Sequence, residues 1–115
     1  MAEKNVILEK SFEFALKIIA YSELLEESKK YVIARQILKS GTSIGASIRE
    51  AQSAESKADF VHKMKIADKE ANELEYWLQL CKMAKDYPEP LILENELIIL
   101  KKLLSKIIST SKSSL

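Results

Sequence analysis

Apolar residues recur along this chain at steps of three and four, and the recurrence sorts into four runs separated by short polar or proline-bearing stretches. That spacing is the signature of amphipathic α-helices, since side chains three or four residues apart share a helical face. The first run predicts a helix over residues 6–26. At about 100° per residue, Leu8, Phe12, Ala15 and Ile19 form one apolar strip, and Phe14, Ile18, Tyr21 and Leu25 form a second. The polar residues Glu9, Lys10, Glu13 and Lys17 share a narrower sector. This apolar arc is wider than a single bundle core needs, which predicts that part of the first helix faces another subunit.

Glu26-Glu-Ser-Lys-Lys30 reads as a turn, because lysines are unfavourable at a helix N-terminus. A second helix is predicted over 31–53, with Ile33, Ile37, Ile44, Ile48 and Ala51 on one face. Ser56-Lys-Ala-Asp59 has the form of a capping box, with Ser56 as the N-cap, and opens a third helix over 56–85. Along it Phe60, Met64, Ala67, Ala71, Leu74, Leu78 and Cys81 keep an unbroken heptad seam. Asp86-Tyr-Pro-Glu-Pro90 ends that helix, since a residue before proline is pushed out of the α region. Pro90 suits the first turn of a fourth helix, over 90–110. Its seam is Leu93, Leu97, Leu100, Leu104 and Ile107, and it fades in a serine-rich tail. Short connections make neighbouring helices antiparallel, so the fold class is all-α: one domain, residues 1–115, an antiparallel up-down four-helix bundle.

Both glycines of the chain, Gly41 and Gly45, fall inside the second helix. Each costs about 0.5–1 kcal/mol there relative to alanine, so they need a reason. A phosphate-cradling loop is one reading, but such a loop wants Lys-Ser/Thr after its last glycine, where this chain has Ala46-Ser47, and a strand before it. The other reading is steric: small residues let another backbone approach closely. The helical period runs through the glycines without interruption, which favours packing. Gly41, Ser43, Gly45 and Ala46, with Trp77 on the third helix, are the predicted packing and assembly residues.

At 115 residues the chain is long enough for one core. No apolar run approaches a membrane span and the N-terminus does not read as a signal peptide, so neither a membrane nor export is expected. The single Cys81 suits a reducing, cytoplasmic setting and reads as a small core residue. Net charge is only +1, but it is unevenly spread: −3 over residues 1–28, +5 over 29–69 and −1 over 70–115. A basic excess around the glycine stretch reads either as a solvated helix face or as a surface that attracts phosphate.

Chemistry is hard to find. Di-iron bundles need Glu-x-x-His on two helices, and His62 is the one histidine. Glu70 and Glu73 are spaced as a pair on one helical face, with Ser43 and Thr42 across the bundle as candidate hydroxyl partners. No activated nucleophile, metal cluster or cofactor cradle is legible. The expectation is a protein that is not an enzyme, with no cofactor, no metal and no small-molecule substrate.

Several stretches together resemble a known family. They are Glu9-Lys-Ser-Phe-Glu-Phe-Ala15, Arg35-Gln-Ile-Leu-Lys-Ser-Gly-Thr-Ser-Ile-Gly-Ala46, Glu50-Ala51, Ser56-Lys-Ala-Asp-Phe60, Lys69-Glu-Ala71 and Glu75-Tyr-Trp-Leu78. The chain resembles the small four-helix-bundle proteins encoded by intervening sequences within bacterial 23S ribosomal RNA genes, over nearly its whole length. Two positions depart from that pattern: Lys39 stands where the family typically has Arg, keeping charge but not the bidentate fork, and Ser47 where it has Asn. The resemblance implies a ring, a homopentamer, and a kinship with the accessory protein of diversity-generating retroelements, which binds nucleic acid. The expected function is therefore a non-enzymatic oligomer that binds structured RNA or another nucleic acid. Arg35, Lys39, Arg49, Lys63 and Lys65 are the candidate phosphate contacts. The alternative is an oligomeric scaffold that binds another protein, with no nucleic-acid role.

Overall fold

The structure, a computed structural model, describes residues 2–113. Four helices account for nearly all of them: α1 (Ala2–Glu27), α2 (Tyr31–Ala51), α3 (Lys57–Met83) and α4 (Leu91–Ser113), and no strand occurs among the described residues. Each helix packs against the next in sequence, and α4 closes back on α1, with no diagonal contact across the middle among the described residues. The result is a bundle measuring 47 × 20 × 20 Å.

Residue pairs across each seam set the directions. Along α1, Ser11, Ile18 and Ser22 meet α2 at Gly45, Gly41 and Ala34, so the numbers rise on one helix as they fall on the other. Tyr21 reaches Pro88 just ahead of α4, while Lys17 pairs with Glu96 further along it. Neighbours are antiparallel on both sides of α1.

The core lies between the four seams. Phe14, Ile18, Tyr21 and Leu25 of α1 are buried, together with Ile37, Ile44 and Ile48 of α2 and the predicted seams of α3 and α4. Of the other α1 strip, Leu8 packs half-buried against the core, while Phe12 is 56% and Ile19 is 41% exposed, and Leu16 beside them 54%. Of the two strips, the glycines select the inner one. A Cβ on Gly41 would stand 2.6–2.8 Å from three carbons of Ile18, a separation that real side chains do not tolerate. One on Gly45 would stand 3.4 Å from the Ser11 carbonyl oxygen, an ordinary contact. Both glycines therefore face α1, and Gly41 is the tighter of the two.

Helix ends differ from expectation by a few residues, each for a local reason. After α1, Lys30 N–H bonds the Leu25 carbonyl at 2.8 Å and Lys29 N–H bonds Glu26 at 2.9 Å. That pattern is a Schellman motif, with Lys29 at φ 64° in the position that usually takes glycine. α2 stops at Ala51, two residues early, and its last turn tightens through Ser53 N–H to Glu50 and Ala54 N–H to Ala51. Ser56 caps α3 as predicted, accepting from Asp59 N–H at 3.0 Å. The return bond from the Asp59 carboxylate goes to Glu55 N–H, one residue before the cap. α4 follows Pro90, whose carbonyl accepts from Glu94 N–H, and it runs on to Ser113, since serine is only a modestly poor helix former.

Candidate nucleic-acid interface

α2 turns its core face toward Ile44 and its neighbours, so residues half a turn away point to solvent. Arg35, Lys39 and Arg49 are all there, exposed, within about 80° of one another around the helix axis. The rise of about 1.5 Å per residue spreads them over about 21 Å. Between them the surface is low, formed by the half-buried Thr42 and the exposed Ala46. The Thr42 hydroxyl is turned back on the helix, donating to Leu38 O at 2.6 Å. None of the three cations joins a salt bridge among the described residues. Three unneutralised positive charges on one straight edge suit an extended polyanion.

The two α3 lysines do not join them. Lys63 is engaged with Asp59 at 3.0 Å, one helical turn back. Each holds the other charged: Lys63 and the Glu55 N–H keep the Asp59 carboxyl below its usual range, and Asp59 keeps the Lys63 ammonium above its own. Lys63 thus belongs to the start of α3. Lys65 is exposed, but it lies about 80° around α3 from Glu73, which meets α2 at Ser40.

The packing candidates also separate. Gly41 and Gly45 face α1. Ala46 lines the outer groove between α1 and α2, alongside Phe12 and Arg49. Ser43 is half-buried and donates to Lys39 O at 2.6 Å within its own helix. Trp77 is half-buried against the core, its indole N–H donating to Glu73 Oε1 at 3.3 Å.

That same oxygen of Glu73 accepts from Ser40 at 3.3 Å, and here the structure corrects the sequence reading. Ser43 and Thr42 both spend their hydroxyls on carbonyls one turn back, the usual competition between short hydroxyl side chains and the helix backbone. Ser40 is the partner, and it is fully buried. A signal was present: Ser40 falls on the apolar strip of α2, where a hydroxyl must find an acceptor. Glu73 is held by two donors from two helices, which is a structural role.

The remaining reactive groups are enclosed or isolated. Cys81 is buried against Tyr21, and burial pushes its thiol up, away from the thiolate. The Tyr21 phenol is likewise pushed up by burial, and donates to Pro88 O at 2.6 Å, pinning the α3–α4 connection. His62 is exposed. No group of three or more metal-ligating side chains occurs among the described residues, and no helix there is long and apolar enough to cross a membrane.

These features define a class: a small antiparallel four-helix bundle with a polar clasp inside and an unpaired cationic edge outside. The chain belongs to the 23S rRNA-intervening sequence protein family, whose model matches residues 3–109. It is also similar to a crystal structure of a protein of unknown function from the S23 ribosomal protein family of Bacteroides thetaiotaomicron. The two share 46% identity over 93% of this chain and 98% of that one, with a TM-score of 0.86. No curated protein matches the chain.

Proposed function

We propose that this protein is a non-enzymatic, self-associating binder of structured RNA that grips the phosphate backbone without reading sequence. The observation that carries the reading is the row of three unpaired cations, Arg35, Lys39 and Arg49, along the outer face of α2. Two exposed aromatic rings adjoin the row at its opposite ends, Tyr31 one turn before Arg35 and Phe12 in the groove beside Arg49, and the row between them is cationic, which favours recognition of shape and phosphate. The family's description ties it to 23S rRNA intervening sequences, which makes a folded rRNA segment the natural ligand class. Self-association, for which the resemblance implies five copies, would repeat the cationic edge and raise affinity through multivalency.

The test is titration of a structured RNA hairpin with nuclease-treated protein across a salt series. Affinity should fall steeply with salt, because each neutralised phosphate adds about −0.9 to the log–log slope on duplex. Arg35→Glu with Lys39→Glu should abolish binding while leaving the helical content and the particle mass unchanged. Absence of binding at low salt would overturn the reading and leave the protein-binding scaffold in its place.

A further inference from the structure

The end of the bundle where α1 passes into α2 holds a hollow that the nucleic-acid reading does not use. Across the α2–α3 seam Ser40 meets Glu73, and the two helices run antiparallel. The start of α2 is therefore level with the end of α3 and the connection that leads to α4. Ile33, Leu80, Cys81, Met83, Ala84 and Tyr87 line a space of about 390 Å³ there, within the about 300–1,000 Å³ typical of small-ligand sites. Cys81, only 2% exposed, lies at its floor, and Met83, 82% exposed, at its rim. None of these lining side chains carries a charge at neutral pH.

One cation stands at the edge. Lys30 lies one turn before Ile33, and its ammonium sits 4.9 Å from the centre of the Tyr87 ring, the geometry of a cation–π contact. Lys30 is half-buried, and no carboxylate forms a salt bridge with it among the described residues. The ring face attracts the charge but leaves ammonium N–H donors free for an oxygen. The first turn of α2, which follows Lys30, holds no acid, so the helix dipole adds to the positive potential at this edge.

We propose that the hollow binds a free single-chain alkyl carboxylate, a fatty acid, with its tail against Leu80, Cys81 and Met83 and its carboxylate on Lys30. Apolar walls with one unpaired cation at a single edge complement a ligand with one apolar tail and one anionic end. A single ammonium matches the single charge of a carboxylate. A phosphate head would favour an arginine fork, and no arginine lines the space. Methionine at the rim is flexible enough to follow tails of different length. This site is separate from the cationic row of α2 and does not depend on RNA binding.

The test is calorimetric titration of the full chain with hexanoate, octanoate and decanoate, each below its micelle concentration, with thermal unfolding read in parallel. One equivalent should bind, and each added methylene should tighten binding about fourfold until the hollow is full. Decanol should bind about tenfold more weakly than decanoate, and Lys30→Gln should remove that difference. Ala84→Phe fills the hollow from the exposed C-cap of α3, so it should bind none of the series while keeping its helical content. Lack of saturable binding by the natural chain, or decanoate binding unchanged in Ala84→Phe, would overturn the proposal. Undiminished decanoate affinity in Lys30→Gln would overturn it too, and would assign the hollow to an uncharged apolar group such as a side chain of a protein partner. Pelleting with anionic phospholipid vesicles, without binding of the free acids, would assign it to a membrane surface and reject the fatty acid.

Discussion

The glycines of α2 have similar sequence surroundings and different tolerances. A methyl group at Gly41 must displace Ile18, which is fully buried and β-branched and has little room to turn. At Gly45 the methyl meets the carbonyl and hydroxyl oxygens of Ser11, each at an ordinary contact distance of 3.4 Å. Replacement by alanine removes a helix penalty of about 0.5–1 kcal/mol at either site, but overpacking costs about 1–3 kcal/mol. Gly41→Ala should therefore lower the melting temperature, and Gly45→Ala should leave it unchanged or raise it. Gly45→Leu should lower it, because the longer side chain cannot stop at contact distance from Ser11. Thermal unfolding of the three variants decides the matter, and equal effects of the two alanines would contradict the geometry. From sequence the pair shows only that something approaches closely. That the neighbour is Ile18 at one glycine and Ser11 at the other depends on how α1 is rotated, and periodicity leaves that open.

The helices were legible in outline because their seams are long, and their ends less so because caps are local. Ser56 announced itself, since its hydroxyl and Asp59 occupy the spacing a capping box requires. Ser56→Ala should cost about 1 kcal/mol, the usual value for a lost N-cap. The ion pair that follows it has a defined pH window. The Asp59 carboxyl is held down by Lys63 and the Glu55 N–H, so its stabilisation is present above the ordinary carboxyl value of about 3.9 and is lost as pH falls through the lower folded one. The Lys63 ammonium is held up, so its share persists to about pH 10.4 and is lost above that. The melting-temperature gap between the natural chain and Asp59→Asn should be flat from about pH 5 to 9 and close at both extremes. The end of α1 was not legible. Lys29 gives no hint that its backbone turns left-handed at φ 64°, because the motif is defined by bonds and not by residue type. Lys29→Gly should stabilise the protein by about 0.5–1 kcal/mol, or about 4–8 °C per kcal/mol for a domain near this size.

At the scale of the molecule, α1 shows where the sequence stops short. Both of its apolar strips have the spacing of a core, yet Phe14, Ile18, Tyr21 and Leu25 enter it, with Ile7, whereas Phe12 and Ile19 of the other strip stay exposed and Leu8 is only half-buried against it. A chain of this length makes one core, so most of the second strip is surplus to it and is the surface that the proposed self-association would use. The candidate phosphate contacts divide the same way: Arg35, Lys39 and Arg49 share an edge because one helix carries them, while the α3 lysines part because tertiary packing turns them elsewhere. In the proposed function, assembly and RNA binding are linked through number. One bundle offers three cations, enough for a salt slope of about −2.7 on duplex. Under the proposed self-association, several α2 edges on one particle can engage one folded RNA together. Leu16→Asp touches none of the three cations, so it should reduce the slope toward the single-bundle value and lower affinity by about 10²-fold or more, the range lost when linked sites become independent. Fluorescence titration of one hairpin across salt, with the particle mass measured on the same samples, checks it. A monomeric Leu16→Asp that keeps full affinity and slope would show that a single bundle carries all of the binding.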